Sequence, residues 1–177
     1  MRKRAIVLGL ATLTIAFALP RVAVCQQLTV QDDAGKVTVL SRADIEALPH
    51  VKVSVAGGSS MASTPTTSTS ANKVAATYEG VALKAVLEKA GAGFGESLKG
   101  KRMALCLLAE AADGYRVVLA LPELDPAFTD KQIVLAYLKD GKPLDEKEGP
   151  YRVVIPDEKR MARWIRQVIK LRIVDVH

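Results

Sequence analysis

Apolar residues in this chain alternate with polar ones, or gather in short unbroken runs, far more often than they recur at helical spacing, and that limits the fold to one dominated by sheet. "QLTVQDDAGKVTVLS" alternates around an Asp-Ala-Gly-Lys turn and predicts a hairpin. "VKVSVA", Val51 to Ala56, alternates strictly. "RMALCLLAEA" is a continuous apolar run suited to a strand buried on both faces. "YRVVLAL", "QIVLAYL", "YRVVIP" and "VIKLRIVDV" add further strands, and Asp140-Gly141 is a tight-turn signal.

Helical signals are few. Ser41 precedes "RADIEALP" with Asp44 three residues on and Pro49 as a stop, which predicts one short capped helix. In "KVAATYEGVALKAVLEKAGA", Leu83, Val86, Leu87 and Ala90 form one apolar helical face, and Gly91 stands where a C-terminal cap belongs. The expectation is an α+β fold with mixed, largely antiparallel sheets and a few short helices.

Between the two halves lies "GGSSMASTPTTSTSANK", Gly57 to Lys73, in which nine of seventeen residues are Ser or Thr. Strand patterns stand on both sides of it, and the stretch before it is too short to form a core of its own. The segment is expected to be a flexible loop within one domain rather than a linker between two.

Met1-Arg-Lys-Arg followed by the apolar run Ala5 to Leu19 reads as a secretory signal peptide, residues 1–25, with Ala23 at the −3 position of a cleavage after Cys25. The run is short for a bilayer span. No membrane span is expected after cleavage, and the protein is expected in the periplasm or secreted. Lipidation at Cys25 is the second reading, disfavoured by the bulky Val24. Arg2 and Arg4 are separated by Lys3, so the leader lacks a twin-arginine pair.

The chain has a formal net charge of +6. Arg2, Lys3, Arg4 and Arg21 all belong to the leader, so the mature residues 26–177 carry 21 basic against 19 acidic side chains. That removes the case for nucleic-acid binding. Of the two cysteines, only Cys106 remains in the mature chain, which excludes an internal disulfide and zinc sites built on cysteine pairs. Cys106 is expected to be a small buried apolar residue within its strand. The only histidines are His50 and His177, too few for a histidine-based metal site, and His50 is read as a surface residue.

Two stretches carry candidate chemistry. In "ADGYRVVLALPEL", Asp113-Gly114 makes a turn ahead of a strand that opens with Tyr115, whose hydroxyl can serve a ligand at a sheet edge. In "GPYRVVIPDEKRMARWIRQ", Arg152 sits on a strand, and Lys159, Arg160, Arg163 and Arg166 cluster beside Trp164. Arginines so placed can grip a phosphate or carboxylate while the indole stacks. Read singly, each stretch is equally a turn or a solvated basic face.

Taken in order, "TYEGVALKAVLEKAG", "ADGYRVVLALPEL" and "IVLAYLKDGKPLDEKEGPYRVVIPDEKRMARWIRQVIKLRI" resemble the molybdopterin-binding oxidoreductase domain of sulfite oxidase-like fold, in its small exported single-domain form. The resemblance covers about Val37 to Val176. It implies a molybdenum held by a pterin dithiolene and one protein cysteine on the loop before "YEGV". In this chain that loop is the Ser/Thr-rich segment, without cysteine. The resemblance also implies a Gly-rich turn receiving the pterin phosphate, where this chain has Pro156-Asp157-Glu158-Lys159, and carboxylates there would repel a phosphate. Tyr115 matches an active-site tyrosine and is the candidate catalytic residue that the resemblance implies. Arg152, Arg160, Arg163 and Trp164 match the end facing the pterin.

The candidate ligand-binding set is therefore Asp113, Gly114, Tyr115, Arg152, Arg160, Arg163 and Trp164, with no metal ligand. The expectation is a binding module for a small anionic ligand or an exported redox partner protein, with no cofactor. The alternative is an active molybdopterin-dependent oxidoreductase.

Overall fold

The computed structural model describes residues 26–55, 76–156 and 158–175. The expected signal peptide with Cys25, the Ser/Thr-rich segment, Asp157 and His177 lie outside the described residues.

Strands β1 (Leu28–Gln31) and β2 (Val37–Leu40) form the expected hairpin. Its turn is shaped locally: the Asp32 carboxylate accepts the N–H groups of Ala34 and Lys36 at 3.0 and 2.8 Å. Ser41 then caps α1 (Arg42–Glu46) in a reciprocal box, its hydroxyl accepting the Asp44 N–H at 3.2 Å while Asp44 accepts the Ser41 N–H at 2.9 Å. The Ser41 hydroxyl also donates to Asp44 Oδ2 at 2.5 Å, and that bond, with the one from the Ser41 N–H, holds the Asp44 carboxyl below its usual range.

The expected strand at Val51–Ala56 is β3 (His50–Val55), and it pairs antiparallel with β4 (Ala76–Ala82), Val55 opposite Ala76. The two ends that flank residues 56–75 are thus neighbours in one sheet. Here the structure corrects the sequence reading, because "TYEGV" belongs to β4 and not to a helix. Only Leu83–Lys89 is helical (α2), ending in a Schellman motif: Ala92 N–H bonds Leu87 O at 3.0 Å and Gly91, at φ 108°, bonds Glu88 O at 2.9 Å. Gly80 explains part of the difference. A Cβ there would lie 2.1 Å from the Leu135 carbonyl oxygen, so glycine lets β4 close on its neighbour at the bulge between Glu79 and Gly80.

The remaining strands are β5 (Leu105–Ala111), β6 (Arg116–Ala120), β7 (Val134–Lys139), β8 (Lys142–Pro143), β9 (Arg152–Val154) and β10 (Val168–Asp175). Asp140 and Gly141, both at positive φ, turn β7 into β8. One sheet runs β2-β1-β10-β5-β6, and the other runs β3-β4-β7-β8 with β9 also paired to β7. Every pairing is antiparallel except β1 with β10, so the architecture is mixed α+β with largely antiparallel sheets.

Leu28, Val30, Leu107, Ala109 and Leu171 of the first sheet, Val81, Leu135 and Val153 of the second, and Leu83, Val86 and Leu87 of α2 share one buried cluster. Each fully buried aliphatic side chain of this size contributes roughly 1.5–3 kcal/mol. Tyr151, fully buried, donates to the Gln26 carbonyl at 3.2 Å, and burial pushes its pKa up to about 12, so it remains a donor.

A second correction concerns β5, which is buried on alternate positions and not on both faces. Cys106 points to the outer, half-exposed side between Ala120 and Val174. That side of the sheet also carries Val118, 50% exposed, and Val39, 52% exposed, so apolar composition alone overstated the burial. No helix among the described residues is long and apolar enough to cross a membrane.

Candidate functional site

Three segments that are distant in sequence meet in a cleft of about 310 Å³: the β5–β6 turn, the start of β9, and residues 161–166. Asp113, Tyr115, Arg152, Met161, Trp164 and Arg166 supply most of its lining.

The turn is built by its own residues. Asp113 Oδ1 accepts the Tyr115 N–H at 2.9 Å, Gly114 takes φ 84°, and Ala111 N–H bonds Tyr115 O at 2.9 Å. Tyr115, one residue ahead of β6 and half exposed, donates its hydroxyl hydrogen to the Ala162 carbonyl at 2.8 Å. The oxygen facing solvent is therefore an acceptor.

Arg152 opens β9 opposite Ala136 and is 11% exposed. Its Nη1 donates to the Tyr78 hydroxyl at 3.3 Å and forms a short ion pair with Glu148. Glu148 also accepts from Lys139 Nζ at 3.2 and 3.3 Å. The Arg152 guanidinium lies 5.5 Å from the Tyr78 ring centre and 5.7 Å from that of Trp164, and the two rings meet edge to face at 6.1 Å. Burial works against the Lys139 ammonium, but Tyr78 and Glu148 outweigh it and raise its pKa. Trp164 is 5% exposed, and its indole Nε1–H has no hydrogen-bond partner among the described residues; neither has Arg152 Nε. Both residues line the cleft, but these two nitrogens are buried in the packing and not open to it.

Of the residues singled out in the sequence, Asp113, Tyr115, Arg152 and Trp164 come together here. Gly114 shapes the turn without lining the cleft. Arg163 is directed elsewhere, donating to Glu158 at 2.6 Å and to Glu123 at 3.3 Å. Burial opposes ionisation of Glu123, yet Arg163 holds its pKa below the usual value. Arg160 is exposed and off the cleft. Glu158 is neutralised by Arg163, which weakens the phosphate repulsion expected at that turn. His50 is an exposed residue, as expected, its Nδ1 3.0 Å from the Tyr137 hydroxyl. Arg166, rather than Arg160 or Arg163, is the cleft's second cation, and it has no ion-pair partner among the described residues. Tyr78 and Glu148 were not singled out; only the i,i+4 spacing of Glu148 and Arg152 hinted at their pairing.

A molybdenum bound through a protein thiolate does not fit these residues. Beyond Cys25 the chain's only cysteine is Cys106, at the far end of β5 from the cleft. Cys106 and Ala111 are separated by roughly 16 Å at the rise of a strand. Among the described residues no group of His, Cys, Asp or Glu is arranged to hold a metal.

The sheet pair with this cleft at one end defines a sulfite oxidase-like molybdopterin fold. A family model described as the oxidoreductase molybdopterin binding domain matches residues 18–176, and the chain belongs to that family. Among solved structures, the sulfane dehydrogenase SoxCD from Paracoccus pantotrophus superposes with a TM-score of 0.59 at 20% identity, over 84% of this chain and 38% of that one. The likeness is one of fold, and this chain spans 38% of the SoxCD chain's length. The curated proteins include no match to this sequence.

Proposed function

We propose that this chain uses the molybdopterin-oxidoreductase scaffold as an exported binding module for a small anion, having lost the cysteine that ligates molybdenum in the family's enzymes. The observation that carries the reading is the cleft's charge: exposed Arg166, with no ion-pair partner among the described residues, lines it beside Arg152, against the one carboxylate of Asp113. A small anion in the cleft answers that excess of positive charge. The leader of basic residues and an apolar run, without a twin-arginine pair, suits export of an unfolded, cofactor-free chain to the periplasm or beyond. An exported redox partner protein offering a carboxylate at the same cleft is the macromolecular form of this reading.

The second reading is a molybdopterin-dependent oxidoreductase, and the family match over residues 18–176 favours it. Elemental analysis and pterin fluorescence of the mature protein, purified from its native compartment, separate the two. The binding-module reading expects no stoichiometric molybdenum. Stoichiometric molybdenum with pterin overturns it.

A further inference from the structure

We infer that the outer face of β5 and β6 is a self-association surface, on which a second copy of this chain packs with Glu110 of each copy against Arg116 of the other.

Strand alternation builds the face. Leu107, Ala109, Val117 and Leu119 point into the core, so the residues between them point away from it. The register sets these outward residues in three rows: Cys106 beside Ala120, Leu108 beside Val118, and Glu110 beside Arg116. Two rows are apolar and the third carries opposite charges. Val118 is 50% exposed although it is aliphatic. Apolar rows on the open face of a sheet, rimmed by charge, mark a contact surface.

Charge decides the occupant. Arg116 is exposed and has no ion-pair partner among the described residues, although Glu110 is its cross-strand neighbour. Glu110 turns the other way, to Arg172 at 2.9 Å. A twofold axis parallel to the strands, midway between β5 and β6, lays each β5 over the β6 of the other copy. Glu110 then meets Arg116, Leu108 meets Val118 and Cys106 meets Ala120, each contact made twice. Packed sheets lie about 10 Å apart, which an Arg and a Glu side chain span together. Moving the axis onto β10 would instead lay Lys170 and Arg172 on themselves, and like charges disfavour that arrangement. A surface matched to itself in both charge and apolar rows fits a second copy, where an unrelated partner would require no such match.

Sedimentation equilibrium of the mature protein, run up to about 0.5 mM because a patch this small gives a weak dimer, measures the association. The parent should dimerise, and less tightly as salt screens the ion pairs. Val118→Ser, at an exposed position, should weaken the dimer about tenfold. Arg116→Glu and Glu110→Arg each set like charges together at both contacts, and each should weaken it about tenfold or more. Mixed in equal amounts, these two variants meet with opposite charges at both contacts and should associate about as tightly as the parent. Urea unfolding checks that each variant folds, and Val118→Ser carries the test if Glu110→Arg does not. A parent that stays monomeric, a Val118→Ser variant that dimerises like the parent, or a mixed pair of folded variants no tighter than either alone overturns the inference. None of these results bears on the anion reading, because Glu110 and Arg116 do not line the cleft.

Discussion

The Tyr115 hydroxyl and the Ala162 carbonyl, 2.8 Å apart, tie the β5–β6 turn to the segment that carries Trp164 and Arg166. The contact closes one side of the cleft with a bond between residues 47 positions apart. Tyr115→Phe removes the bond and leaves the ring. We expect a loss of about 0.5–1 kcal/mol in urea unfolding, the low end for a hydrogen bond because the site is half exposed.

Glu148 holds both Arg152 and Lys139 behind the cleft wall. In Glu148→Gln two cations lose their carboxylate. We expect a stability loss of about 1–2 kcal/mol, discounted for the 17% exposure of Glu148. The cleft also gains one unit of positive charge. A sulfate titration followed by Trp164 fluorescence should therefore reach its midpoint at a lower concentration than in the parent, and an equal midpoint would contradict the charge argument.

Gly80 has no room for a methyl group, since a Cβ would sit 2.1 Å from the Leu135 carbonyl oxygen and 2.6 Å from the Ala136 Cα. Backbone cannot swing aside as a side chain does. Gly80→Ala should cost at least about 2 kcal/mol, read as a lower urea midpoint with an unchanged slope.

Acid sensitivity should centre on Asp125. Burial pushes its pKa up, but the N–H groups of Gly95 and Ala127, at 2.6 and 3.1 Å, and the Lys84 ammonium at 3.4 Å outweigh that and bring it below the ordinary 3.8. A carboxyl whose folded pKa is depressed stabilises fully above its unfolded value, and the contribution is lost as pH falls through the lower folded value. Unfolding midpoints measured from neutral pH downward should hold until about pH 4 and then fall. Asp125→Asn should lower stability at neutral pH and flatten that acid limb.

What the sequence determined by itself is the set of features decided within a few residues. The Asp32 turn, the Ser41–Asp44 box, the Schellman end at Gly91 and the Asp140-Gly141 turn are all legible because donor and acceptor lie within five positions of each other. The ordered motifs likewise carried the family resemblance, and Asp113, Tyr115, Arg152 and Trp164 were visible as candidates. Only the tertiary structure decided which neighbours those local pieces find. "TYEGV" is a strand because β3 and β7 flank it, and Cys106 is half exposed because its sheet is covered on one side. Arg166 reaches the cleft while Arg163 turns to Glu123 and Glu158. Pairing of Thr29 with Lys170 spans most of the chain, and that of Tyr78 with Arg152 spans 74 positions. A short window of sequence holds no record of such pairings, because their free energy comes from burying and satisfying groups that only the closed fold brings together.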